Sequence, residues 1–270
     1  MLLYNEFSLF LIHIWKNRPL LRALIKNDFK KQYLGSYLGL SWALIQPLMF
    51  VAIIWIVFEL GFRKGPTVTG VPFVLWLFAG MVPWFFFSDA LRSGADAIVG
   101  NAFLVKKVAF RVSILPLVNI GSCFLIHLGL VIFLTLALLL NGYLPSMYWI
   151  QLPYYIALTI LFATGCSWLT SAIRVFVKDM GSIIRILLQM IFWLTPIFWS
   201  IELIPEKYHY LIKLNPLFYL IEGYRDTFIS QVWFWEKPTW SFYYLAITAV
   251  FLVLGALVFK RLRPHFADVL

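Results

Sequence analysis

The apolar positions of this chain fall in solid runs, not in the alternation of a half-buried strand. Uncharged stretches extend over Gln32–Phe58, Gly65–Ser88, Val112–Ile173, Ile186–Ile201 and Pro238–Phe259. A bilayer core needs about 20 apolar residues in a helix, so the first, second and last stretches each predict one span. The third, at 62 residues, exceeds a single crossing. Asn141-Gly142 and Pro145-Ser146 break it as a turn, which gives a hairpin near 112–140 and 147–172. The fourth is only 16 residues long and reaches span length from Ser182 to Ile201 if Arg185 snorkels to the interface. The pattern predicts an all-α membrane protein with spans near 37–60, 71–91, 112–140, 147–172, 182–201 and 239–259, forming one transmembrane domain over 1–270. A membrane barrel would show alternating segments of about ten residues instead.

Two segments between the runs carry their own helical signals. Asn17-Arg18-Pro19 is a helix start, with proline tolerated in the first turn. Beyond it Leu20, Leu21, Leu24, Ile25 and Phe29 share one side of the wheel, and Arg22, Lys26 and Lys30 share another. Residues 1–34 therefore read as an interfacial segment at the membrane surface. Asp28 and Lys31 intrude on the apolar arc, and a plain basic flank is the alternative. In the second segment, 203–230, Pro205 to Leu214 is a short helical pattern. Asn215-Pro216 then caps and opens a helix toward Ser230. Glu222, Arg225 and Asp226 forbid lipid exposure there, and Glu222 and Arg225 are spaced to pair. Two short helices re-entering the membrane from outside fit this pattern. Tyr210, Phe218, Tyr219, Glu222 and Arg225 would then form an outer lip or gate; a cap over helix ends is the alternative.

Composition agrees with the runs. Of 270 residues, 62% are hydrophobic and 13% charged, about half the charged share of soluble domains. Numbering the loops alternately from the N-terminus puts sixteen Lys and Arg on one side and six on the other. Both termini are thus expected in the cytoplasm, with the chain multi-pass in the cytoplasmic (inner) membrane. The net charge of +10 then reflects topology and anionic lipid, not nucleic acid. The first 35 residues carry charges where a leader would have its apolar core.

Candidate chemistry is sparse. No phosphate-binding loop, H-E-x-x-H or G-x-S-x-G motif occurs, and no segment outside the spans is long enough for a nucleotide-binding or catalytic domain. No metal or cofactor is expected on this chain. Cys123 and Cys166 fall inside predicted spans and read as small buried hydrophobes. His127 is the one ionisable side chain deep in a span; it reads as a hydrogen-bonded packing residue more readily than as a proton relay. No repeat relates the two halves, and an ion-coupled carrier would need more intramembrane ionisable groups than this. If the chain moves a solute, the energy comes from another subunit. Gln46 and Pro47 in the first span, and Gln189, Trp193 and Pro196 in the fifth, interrupt apolar helices. Polar amides there face protein or water, so these helices, with Tyr37 and Trp42, are candidates to line a conduit. Amide bonding between packed helices is the alternative.

The residues also carry a family resemblance. Lys26-Asn-Asp-Phe-Lys-Lys-Gln-Tyr-Leu-Gly-Ser-Tyr-Leu-Gly-Leu-Ser-Trp-Ala-Leu-Ile-Gln-Pro47 resembles the opening of type 2 ABC exporter permeases of the polysaccharide branch. Asn101-Ala-Phe-Leu-Val-Lys-Lys-Val-Ala-Phe110, Asn215-Pro216 with Tyr224-Arg225, and Arg263-Pro-His-Phe-Ala-Asp-Val-Leu270 extend it over almost the whole chain. The first and last motifs are similar to those of O-antigen, capsule and teichoic-acid exporters. One departure is Arg111, where that family often has proline, so the third span is expected to start slightly differently. The resemblance implies a homodimer docked onto two copies of a separate ATPase subunit that binds ATP and Mg. It also implies a lipid-linked glycan as cargo. The cytoplasmic segment 98–110 would be the coupling element. Ile98, Phe103, Leu104, Val108 and Phe110 are apolar there and need a protein surface to bury against; Asn101 belongs to the same motif, and Lys106 and Lys107 can meet acidic groups. A permease for a small hydrophobic molecule or lipid remains as a second reading, and an intramembrane enzyme as a third.

Overall fold

The computed structural model describes residues 18–33, 39, 41–61, 70–106 and 111–270, and among these it is all-helical. The calls on Tyr37, Lys107, Val108 and Phe110 lie outside the described residues, as does the interfacial segment before Arg18. Among the described residues, five helices are long and apolar enough to cross a membrane: Ser41–Glu59, Phe73–Asp96, Val112–Leu140, Met147–Arg174 and Pro238–Val269. Their α-helical parts are α2 (Ser41–Ile56), α3 (Phe73–Asp96), α4 (Leu115–Leu140), α5 (Leu152–Arg174) and α9 (Pro238–Leu262). Before them lies α1 (Arg18–Tyr33); between α5 and α9 lie α6 (Met180–Leu194), α7 (His209–Lys213) and α8 (Pro216–Arg225).

The expected fifth span differs. Helix α6 stops at Leu194 after 15 residues, about 22 Å at the helical rise, and residues 195–200 are not helical. Pro196 is the cause. A proline biases the residue before it out of the helical region, and Thr195 is extended at φ −91°, ψ 136°. The sequence reading carried the helix through that proline to Ile201.

The hairpin turn falls where Asn141-Gly142 put it. Gly142 takes the left-handed conformation at φ +84°. Gly142 N–H donates to the Leu139 carbonyl and Tyr143 N–H to the Leu138 carbonyl, which closes α4 with the pair of bonds that such a glycine allows. Pro153 in the first turn of α5 starts the return.

Helix α3 lies at the centre, against α2, α4, α5, α6 and α8, while α5 and α9 form the tightest pair. Small residues set that pairing. A Cβ on Gly165 would come within 2.7 Å of the Phe251–Leu252 backbone, and one on Gly255 within 2.3 Å of the Gly165 carbonyl oxygen. Two helices this close replace side-chain contact by backbone contact, the usual solution where lipid offers no hydrophobic force between them. A smaller apolar cluster closes the end that carries the C-terminus, built from Ile98, Leu115, Trp168, Phe259 and Phe266 among others. Helix α1 packs on α4: Ser122 Oγ donates to the Ile25 carbonyl at 3.3 Å, and a Cβ on Gly121 would strike Ile25. Leu21, Leu24, Ile25 and Phe29 are half-buried and Arg22, Lys26 and Lys30 exposed, whereas Leu20 is exposed too.

Candidate functional site

Where α6 ends, the chain needs new partners for its backbone. Residues Thr195–Phe198 are buried and not helical, so the Pro196 and Ile197 carbonyls lack helical donors. Arg225 supplies them from the end of α8. Its guanidinium donates to the Pro196 carbonyl at 2.8 Å, the Ile197 carbonyl at 2.6 Å and Glu222 Oε1 at 2.6 Å. It lies 3.4 Å above the Trp76 ring, and the residue is 1% exposed. Gly80, one turn along α3 from Trp76, makes the room: a Cβ there would sit 2.7 Å from the guanidinium. One buried cation thus fastens α3, the 195–200 segment and α8 together. A buried charge is tolerable only with this degree of hydrogen bonding and pairing.

The rest of the 203–237 region is anchored in the same manner. Asn215 Oδ1 accepts from Leu217 N–H at 3.1 Å, capping α8, and its Nδ2 donates to Thr195 Oγ1 at 2.6 Å. Asp226 is buried and pairs with Lys237 at 2.5 Å. Gln151 holds the following turn, donating to the Val232 carbonyl and accepting from Phe234 N–H. Tyr219 is buried and its hydroxyl contacts those of Tyr154 and Ser241 at 3.1 and 2.8 Å. The Tyr224 hydroxyl meets His127 Nε2 at 2.8 Å, and His127 stacks on Phe86 with centroids 4.6 Å apart.

Of the five residues expected at an outer lip, Tyr219 and Arg225 therefore face the protein interior. Glu222 and Phe218 are half-buried and Tyr210 is 64% exposed. Sequence reasoning identified the Glu222–Arg225 spacing but missed Trp76, Gly80 and Pro196 as the other partners. A lone glycine and a lone tryptophan inside a continuous apolar run give no signal of the cation that will pack on them.

The residues expected in a conduit have the opposite environment. On α2, Trp42, Gln46, Met49 and Ile53 are exposed and recur at helical spacing. On α6, Ile186, Gln189, Met190 and Trp193 do the same. Both helices rest on α3 and touch through Phe50 and Phe192, centroids 5.9 Å apart. The structure thus brings together the helices that carry Gln46 and Gln189, with both amides on open faces.

At the opposite end of α3, Ala97 and Ile98 are buried and lead into a short helical turn, Ala102–Val105. Asn101 Nδ2 donates to the Ala97 carbonyl at 2.9 Å. Leu104 packs on the C-terminal cluster, Phe103 is 62% exposed and Lys106 is exposed. Among the described residues there is no group of three or more His, Cys, Asp or Glu able to hold a metal. Cys123 and Cys166 are free thiols, both buried.

The model of one family, the ABC-2 type transporters, matches residues 19–229. The chain belongs to that family. Within it the chain is 28% identical over 257 residues to an O-antigen export system permease protein of Klebsiella pneumoniae, covering 93% of this chain and 95% of that one. It is 26% identical over 260 residues to its counterpart from Myxococcus xanthus, covering 94% and 96%. A polysialic acid transport protein of Escherichia coli is 24% identical over 207 residues, 76% and 79% of the two chains. The matched ABC-2 region holds α1 to α8, and so includes the Arg225 anchor and both open stripes.

Proposed function

We propose that this chain is the membrane-spanning subunit of an ATP-driven exporter of lipid-linked polysaccharide, an O-antigen-like glycan, across the cytoplasmic membrane. The observation that carries this reading is the near end-to-end match to O-antigen export permeases. Capsule or teichoic-acid glycan is the neighbouring alternative, supported by the polysialic acid relative.

In this reading the functional unit is a homodimer bound to two copies of an ATPase subunit, which carries the ATP and Mg; this chain itself binds no cofactor. Both termini lie in the cytoplasm, as the basic asymmetry supports. Helix α6 with the 195–201 segment makes the fifth of six crossings, and α7 and α8 re-enter the membrane from outside. The open stripes around Gln46 and Trp193 then face a conduit shared with the second copy. Exposed apolar aromatics and uncharged amides suit a sugar chain, which offers flat C–H faces and many hydroxyls. Phe103 and Lys106 present the coupling surface, with Leu104 holding the turn to the body. A small hydrophobic cargo would need no such pair of amides.

The direct test is to delete the chain from its native cell and follow lipid-linked glycan. Accumulation on the cytoplasmic face, reversed by the intact chain, is the expected result. Unchanged surface glycan with altered drug or lipid efflux would favour the small-molecule reading. For coupling, Phe103→Asp should abolish ATPase co-purification while the permease still inserts; normal complex yield would remove that site.

A further inference from the structure

Behind α6, on the side away from the Gln189 stripe, the packing of α3, α5 and α9 leaves a slot. Its volume is about 310 Å³, and Phe87, Phe162, Cys166, Ile184, Leu188 and Phe251 are among the residues that line it. The accessible lining is almost wholly apolar and runs from Met180 at the start of α6 to Ile191 and Leu217 near its other end. A second, smaller cavity of about 70 Å³ opens at the Met180 end, bounded by Arg92, Asp96, Arg174, Gly181 and Arg185, and Ile184 borders both cavities. The two together have a cationic mouth and a hydrocarbon body.

The mouth is built with some care. Arg174 reaches across the start of α6 to Asp96 at 2.5 Å. It passes where a Cβ on residue 181 would stand, 1.7 Å from Nη1, so only glycine at 181 leaves it space. Arg185 is held by Ser182 Oγ at 2.9 Å, and Arg92 is 3.8 Å from Asp89. Three arginines and one aspartate line the cavity. The first turn of α6 lacks a side-chain cap, and its positive dipole end points the same way. A space of about 70 Å³ holds about two waters; that suits one phosphate, not a diphosphate bearing a sugar. The slot is near the lower limit of small-molecule sites, and its lining follows α6 from Met180 to Ile191, as a single hydrocarbon chain lying along the helix requires.

We infer that this paired cavity holds an anionic glycerophospholipid, its phosphate on Arg92, Arg174 and Arg185 and one acyl chain in the slot behind α6. Basic pockets between membrane helices bind such headgroups, and the acyl chain would lie in the apolar slot. Helix α6 then rests on protein through α3 and on lipid through its other flank, so lipid composition sets how firmly the helix is held. The inference stands on the cavities alone and does not depend on the cargo.

The test uses the full chain in nanodiscs of phosphatidylcholine, with or without phosphatidylglycerol, and counts retained phospholipid by native mass spectrometry. The wild type should retain one phosphatidylglycerol per chain in preference to phosphatidylcholine. The double variant R92Q/R185Q, which leaves the Asp96–Arg174 pair intact, should weaken retention about tenfold, the effect of losing roughly one charge-assisted bond. Leu187→Trp, which narrows the slot and leaves the mouth unchanged, should weaken it as well. Inorganic phosphate should not displace the lipid. Equal retention of the two lipids, displacement by phosphate alone, or unchanged retention in Leu187→Trp would each overturn the assignment. So would loss of dimer in Leu187→Trp without loss of lipid, which would assign the slot to a second copy. Unfolding midpoints in pure phosphatidylcholine show whether the variants fold like the wild type.

Discussion

Helices α2 and α3 are neighbours of similar apolar character, yet 78% of the apolar stretch of α3 is buried and only 11% of that of α2. The less hydropathic of the two is the more buried, the reverse of what water would produce. Lipid tails are as apolar as leucine, so membrane helices gain little by hiding apolar side chains from them. Helix α3 buries many large side chains, and small residues and polar bonds set its closest contacts: Gly80 under Arg225, Gly94 against Ser167, and the Ser93 carbonyl, which accepts from Asn119. Helix α2 between Trp42 and Ile56 offers large side chains and an open stripe. Helix α3 is a framework element. Helix α2 leaves a face exposed on the chain.

Breaking the framework should cost most. Arg225→Ala leaves the Pro196 and Ile197 carbonyls and Glu222 without their donor, and removal of one member of a buried charged network costs about 3–5 kcal/mol. A large fall in the thermal midpoint of the purified chain is expected. Arg225→Lys should recover only part of it, since an ammonium cannot fork to two carbonyls while lying flat on Trp76. Full recovery would mean that charge alone anchors the segment.

Gly165→Ala comes next. Its Cβ meets backbone, which cannot swing aside, so α5 and α9 must separate; overpacking of this kind costs about 1–3 kcal/mol. Gly255→Ala acts on the same contact, so the two together should destabilise by less than their sum. Strict additivity in denaturation would show that the helices do not share one close approach. Tyr224→Phe should do less, about 1 kcal/mol for one buried hydrogen bond to His127. At the low end, Met49→Ala on the open stripe should change the stability of the isolated chain by no more than about 0.5 kcal/mol while impairing export. Equal damage to both would place α2 in the framework.

Legibility in the sequence followed the same division. Four of the five uncharged runs, Asn141-Gly142 and the Asn215-Pro216 cap found their elements, because run length and local caps decide them. The extent of α6 was misread although Pro196 was in view, because run length outweighed the local bias at Thr195. Tyr219 and Arg225 had been grouped with Tyr210 at an outer lip. Nothing local distinguishes a charged side chain that meets water from one that meets Trp76 and two distant carbonyls. Which face of α2 stays open was not legible from periodicity, since that helix is apolar nearly all round and only Gln46 hinted at it, whereas α6 carries Ser182, Arg185 and Gln189 on exposed positions.

The contrast between framework and open stripe comes down to which positions water can reach in the assembled transporter. Single cysteines at 46 and 193, with one at 81 on α3 as the buried comparison (Met81 is 0% exposed), can be treated with a membrane-impermeant thiol reagent in each trapped nucleotide state. The account predicts that 46 and 193 react in at least one state and change together between states, while 81 stays silent in all. Protection of 46 and 193 in every state, or labelling of 81 to the same degree, would contradict it.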